Sequence, residues 1–187
     1  FETLRAYGGE IFEWDAHADR LARTCATLGF GDVVERSDLR SRIHETLRAN
    51  GLKDAYVRLS ITRGVQPGKL TPRPDVDPTI VIVVKDLPRG GVHASPPWDR
   101  PARLATVETR RIPDTACPSA AKTHNYLNGI LARLELRGTD ADEALLRDAD
   151  GYVAEGATSN VFFVRDGVLE TPSLDGPVLP GITRSVV

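Results

Sequence analysis

Apolar and polar positions alternate with two different periods along this chain, and each change of period marks an element. From Ala55 to Thr62 the period is two, with Val57, Leu59 and Ile61 on one face and Tyr56, Arg58, Ser60 and Thr62 on the other. This predicts a half-buried strand with a polar face. Phe1 to Tyr7 and Glu10 to Trp14, rich in aromatic and β-branched residues around Gly8 and Gly9, predict a hairpin. Between these strands the period becomes helical. Asp15 is placed to cap a helix carrying Leu21, Cys25 and Leu28 and ending at Gly29; Ser37 is placed to cap another, with Leu39, Ile43 and Leu47 as its stripe and Asn50-Gly51 as its stop. Thr79 to Val84 reads as a fully buried strand.

Leu87 to Pro101 then gathers Pro88, Gly90, Gly91, Pro96, Pro97 and Pro101, the composition of an interdomain linker. The chain is therefore expected to be α/β (α+β) with two domains: residues 1–88, a linker at 89–101, and residues 102–187. In the second domain Arg103 to Arg110 predicts a strand, and Leu127, Ile130, Leu131 and Leu134 predict a helical stripe closed by Arg137-Gly138. Val161 to Val164 and Val168 to Thr171 flank Asp166-Gly167, a dipeptide that tolerates the positive φ of a type I′ hairpin turn.

Composition narrows the partner. The 187 residues are 41% apolar, enough for one good-sized core or two small ones. The 24 basic and 26 acidic residues nearly cancel and form no long run, so nothing marks a nucleic-acid or anionic-membrane surface. A small molecule or a second copy of the chain is expected instead. The longest apolar run is too short to span a bilayer and the N-terminus has no signal pattern, so a cytoplasmic location is expected. Cys25 and Cys117 lie far apart, and His17, His44, His93 and His124 have no metal-motif spacing. The absence of methionine and the start at Phe1 suggest that the natural start precedes this chain.

A few residues carry possible chemistry. Lys122, among Ser119, Ala120, Ala121 and Thr123, is a lysine whose small neighbours allow desolvation and Schiff-base chemistry, although a solvated surface lysine fits the same segment. Glu155, at a strand end in YVAEGATSN, is a carboxylate able to hold a pyridinium nitrogen protonated, or an ordinary loop residue. LPGITR puts Gly181 before a helix start where the N–H groups of Ile182 and Thr183 could receive a phosphate. Arg20 could add a charge-assisted contact, and Arg58, on the polar face of its strand, could grip a carboxylate with both arms.

These pieces occur in a telling order: HADRL at Arg20, the strand ending in TRG at Arg63-Gly64, AKTHNYL at Lys122, YVAEGATSNVF at Glu155, VRDGVLETP, and LPGITR. Together they resemble the class IV (fold type IV) pyridoxal-phosphate aminotransferases, the branched-chain amino acid branch in particular, over nearly the whole chain. The resemblance implies a pyridoxal 5′-phosphate enzyme that moves an amino group between an amino acid, branched-chain first, and a 2-oxo acid such as 2-oxoglutarate. It implies that Lys122 forms the Schiff base and shuttles a proton between Cα and C4′, and that Glu155 pairs with the pyridine nitrogen. Arg20, Ile182 and Thr183 would hold the phosphate, Leu179 would pack on the ring, Tyr126 would bond the phenolic oxygen, and Arg58 would bind the substrate carboxylate. A homodimer is implied as well. Relatives carry a short N-terminal segment and a final third beyond what is present here. Within the family, TRG and the Lys122-to-Asn125 spacing lean toward a D-amino-acid aminotransferase; an aminodeoxychorismate lyase would use the same lysine to release pyruvate.

Overall fold

The computed structural model describes residues 1–66, 68, 70–73, 77–87 and 100–187. The chain divides into two compact units, Phe1–Pro97 and Trp98–Val187. The expected linker, 89–101, lies outside the described residues except at Arg100 and Pro101.

In the first unit β1 (Glu2–Tyr7), β2 (Glu10–Ile11), β3 (Ala55–Thr62) and β4 (Thr79–Lys85) form an antiparallel sheet in the order β2-β1-β3-β4. The helices are α1 (Trp14–Thr27), the short α2 (Val33–Arg36) and α3 (Leu39–Ala49). Period two on β1 and β3 and helical period on α1 and α3 meet in one core. Leu4, Val57, Leu59 and Ile61 from the sheet pack with Leu21, Cys25, Leu39, Ile43 and Leu47 from the helices. Burying each such aliphatic side chain contributes roughly 1.5–3 kcal/mol.

Three expectations need correction here. The strand expected over 10–14 stops at Ile11, because the chain turns at Phe12 and Glu13 and enters α1 at Trp14. The helix starts are at Glu13 and Asp38, both left-handed, rather than at Asp15 and Ser37. Neither makes a side-chain cap bond; Asp15 sits instead in the first turn of α1, where its charge complements the helix dipole. The strand β4 is also not fully buried: Val81 and Val83 are 44% and 46% exposed. Only its alternate face, with Ile80, Ile82 and Val84, packs against the core.

The second unit holds β5 (Leu104–Arg110), α4 (Leu127–Leu134), β6 (Glu143–Arg147), β7 (Val153–Gly156), the hairpin β8 (Phe163–Arg165) and β9 (Val168–Glu170), and α5 (Ile182–Val186). β5 runs parallel to β6, which pairs antiparallel with β7. The hairpin turn has Asp166 and Gly167 both at positive φ, as its dipeptide predicts. On α4 the apolar stripe is not the buried side within this unit. Leu127, Ile130, Leu131 and Leu134 are 41% to 62% exposed, whereas Asn128 and Ala132 are buried. Small residues face the sheet because the approach is close: a Cβ on Gly129 would stand 3.0 Å from the Ala157 carbonyl oxygen.

Candidate active site

Glu155 lies on β7, and three elements converge on its carboxylate. It is 6% exposed. Arg111, one residue past β5, donates Nε to Oε1 at 2.6 Å. The backbone N–H of Leu179 donates to Oε2 at 3.0 Å, and Asn160 Nδ2 reaches the same oxygen at 3.4 Å. Arg111 is in turn fixed by its backbone N–H to the Arg147 carbonyl at 2.8 Å. Asn128 of α4 braces the same strand end through Nδ2 to the Arg110 carbonyl, also at 2.8 Å.

Burial pushes the Glu155 carboxyl up from its ordinary value. The Arg111 charge, the Leu179 N–H, the hydrogen bond from Arg111 and the charge of Lys122 oppose that shift without cancelling it. The carboxylate is thus incompletely compensated. Four acceptor positions are available on a carboxylate and three donors occupy it here, so one further N–H, best a cationic one, fits. A pyridinium nitrogen is a group of that chemistry.

Asn160 ties this carboxylate to the loop that leads into α5. Its Nδ2 also donates to the Leu179 carbonyl at 2.9 Å. Its Oδ1 sits where a Cβ on Gly181 would fall, at 1.9 Å, so residue 181 must be glycine for the loop to pack this way. Gly181 caps α5 in extended conformation, and the N–H groups of Ile182 and Thr183 lie in the first turn, where an α-helix has no acceptor of its own to offer them. Arg184 anchors the helix through Nη2 to the Pro172 carbonyl at 3.1 Å.

Lys122 is half-buried in the turn-rich segment between β5 and α4, close enough for its charge to act on Glu155. Its segment is held by Ser119, whose N–H donates to Asp114 Oδ1 at 2.7 Å and whose Oγ donates to the Val178 carbonyl at 3.4 Å. Tyr126, half-buried, immediately precedes α4. The second unit therefore contains Lys122, Tyr126, Glu155, Leu179, Ile182 and Thr183, with Glu155 and Leu179 in direct hydrogen bond.

Arg20 and Arg58 belong to the first unit. Arg20 is buried on α1 and donates Nε to Glu2 Oε1 at 2.9 Å and Nη2 to Glu2 Oε2 at 2.6 Å. His17 Nδ1 joins the same oxygen at 2.8 Å. Arg58 projects from the polar face of β3, its guanidinium 4.1 Å from the Phe1 ring centre.

Two residues at the carboxylate were missed from sequence: Arg111 and Asn160. The Arg110-Arg111 doublet at the end of a predicted strand is the available signal for the first, since alternation sends only one of the two outward. Asn160 stands within the quoted YVAEGATSN segment, yet nothing in its spacing foretells a bond to a loop nineteen residues on.

The mixed α/β fold is that of the fold type IV aminotransferases. It superposes on the crystal structure of the branched-chain aminotransferase from Thermoproteus uzoniensis with norvaline, at TM-score 0.86 and 33% identity, covering 99% of this chain and 62% of that one. Residues 1–187 match the amino-transferase class IV family, and the chain belongs to it. A Methanocaldococcus jannaschii protein named provisionally as a branched-chain-amino-acid aminotransferase is 38% identical over 191 residues, all of this chain and 63% of that protein. The aminodeoxychorismate lyase of Bacillus subtilis is 31% identical over 189 residues, covering 100% of this chain and 62% of the lyase.

Proposed function

We propose that the protein is a pyridoxal-phosphate-dependent aminotransferase acting between amino acids, branched-chain ones first, and a 2-oxo acid such as 2-oxoglutarate. The observation that carries this is the incompletely compensated carboxylate of Glu155. Family membership and the names of the relatives support it. When bound, pyridoxal phosphate supplies the electron sink that makes the substrate Cα–H bond acidic. The residues of this chain take the following roles. Glu155 holds a proton on the ring nitrogen, and Arg111, Asn160 and the Leu179 N–H fix the direction of its carboxylate. Lys122 carries the cofactor covalently and moves the proton between Cα and C4′. Ile182 and Thr183 receive the phosphate; Leu179 packs on the ring and Tyr126 bonds the phenolic oxygen. Arg58 takes a substrate carboxylate in a two-pronged pair.

A homodimer is the assembly that the family resemblance supports, and a cytoplasmic location is proposed with it. Cys25 and Cys117 are both free thiols, and no helix among the described residues is long and apolar enough to cross a membrane.

Borohydride reduction of the cofactor-loaded protein, followed by peptide mapping, tests the centre of this proposal. The reduced cofactor is expected on Lys122, and Lys122→Ala is expected to lose both the label and transamination. A label on Lys53, Lys69 or Lys85 would refute the assignment. The lyase relative gives a second reading, elimination of pyruvate. Pyruvate formed without any amino acceptor would favour it over transfer, and amino donors of both hands in the same assay test the D-amino-acid alternative.

A further inference from the structure

The face that carries Arg58 has other cations in register with it. Across β1, β3 and β4, Arg5, Tyr56 and Lys85 stand directly opposite one another in one row, and Thr3, Arg58 and Val83 form the next. Every second residue along these strands faces this way, away from the core, and none of them is acidic. Lys85 Nζ lies 4.6 Å from the Tyr56 ring centre, much as Arg58 lies on Phe1. The Phe1 ring is buried and the Tyr56 ring half-buried, but Lys85 itself is exposed, and a cation at an exposed site gains only about 0.5–1 kcal/mol from a ring, less than a charge-assisted bond to a carboxylate. Such a cation can exchange its ring for an arriving anion. The Tyr56 phenol, for its part, shares hydrogen bonds with Arg58 and Thr3, so it links the two rows.

Lys85 and Arg58 are diagonal neighbours on adjacent strands, which puts their Cβ atoms about 7 Å apart. Two long cationic side chains rooted at that separation can each meet one end of a short diacid, whereas a branched monoacid needs only one of them. We propose that Lys85 is a specificity-determining residue, receiving the second carboxylate of a diacid substrate of the glutamate class whose other carboxylate is held at Arg58. This rests on the substrate role of Arg58 proposed above.

Dissociation constants of two unreactive analogues, glutarate and 4-methylpentanoate, measured by calorimetry on the cofactor-loaded protein, test it. Loss of one charge-assisted contact in Lys85→Met is expected to weaken glutarate about tenfold. Binding of 4-methylpentanoate and the melting temperature should hold, and Lys85→Arg should keep most of the glutarate affinity. Unchanged glutarate binding, or equal weakening of both acids, in Lys85→Met would overturn the inference. Arg58→Ala separates the two claims: it is expected to weaken both acids, and wild-type binding of both would remove the role of Arg58 itself, and with it the inference, whatever Lys85 does.

Discussion

Glu2 in the first unit and Glu155 in the second are buried glutamates that pair with arginine and come out on opposite sides of their ordinary acidity. Glu2 is 1% exposed and Glu155 6%, so burial raises both and neither contact is screened by solvent. At Glu2 the guanidinium of Arg20 donates two N–H groups, one to each oxygen, and His17 adds a third donor; together they outweigh burial and pull the carboxyl down. At Glu155 Arg111 donates through Nε alone, and the other donors are a backbone amide and a distant carboxamide. Burial prevails there. The same residue type is fully compensated by its partners in one place and only partly in the other. What distinguishes them is the number of cationic N–H groups, not depth.

If that distinction is correct, removing the two carboxylates has unequal effects. Glu2→Ala strands the Arg20 charge in the core and is expected to cost about 3–5 kcal/mol in urea unfolding, the range for breaking a buried pair from one side. Glu155→Gln keeps an acceptor for Leu179 and relieves a charge that burial already disfavours, so its cost is expected to stay near 1 kcal/mol. Equal losses would show that both carboxylates are structural.

Stability against pH sharpens the same contrast, with a smaller effect. The folded value of Glu2 lies below its ordinary 4.5, so its contribution is present above that pH and is lost as pH falls through the folded value. The folded value of Glu155 lies above 4.5, so its contribution is present below that pH and is lost as pH rises through the folded value. The stability of wild type minus that of Glu2→Gln should therefore rise with pH across the carboxylate range, while wild type minus Glu155→Gln should fall. Parallel curves would contradict the opposite shifts.

Much of this was legible in sequence where one element's own period decides the outcome. The alternation at 55–62 named the buried face of β3 correctly, because Val57, Leu59 and Ile61 need only one core to point at. Asp166-Gly167 named its hairpin because the turn's dihedral demands are local. The stripe on α4 named the helix but not its buried side, because the close approach at Gly129 selects the small side. The candidate site was legible as segments, through Lys122, Glu155 and the loop before α5. Its electrostatics were not. Arg111 and Asn160 reach Glu155 from elements whose adjacency depends on strand order, and Arg20, read from its motif as a phosphate ligand, is held by Glu2.

The central claim is that Glu155 waits for one more cationic N–H and keeps a proton on the group that supplies it. The ¹⁵N chemical shift of the ring nitrogen in labelled pyridoxal phosphate bound to the protein reads that proton directly. A protonated pyridinium shift is expected in wild type and a neutral pyridine shift in Glu155→Gln at the same pH, with the cofactor still bound in both. Identical shifts in the two proteins would contradict the account.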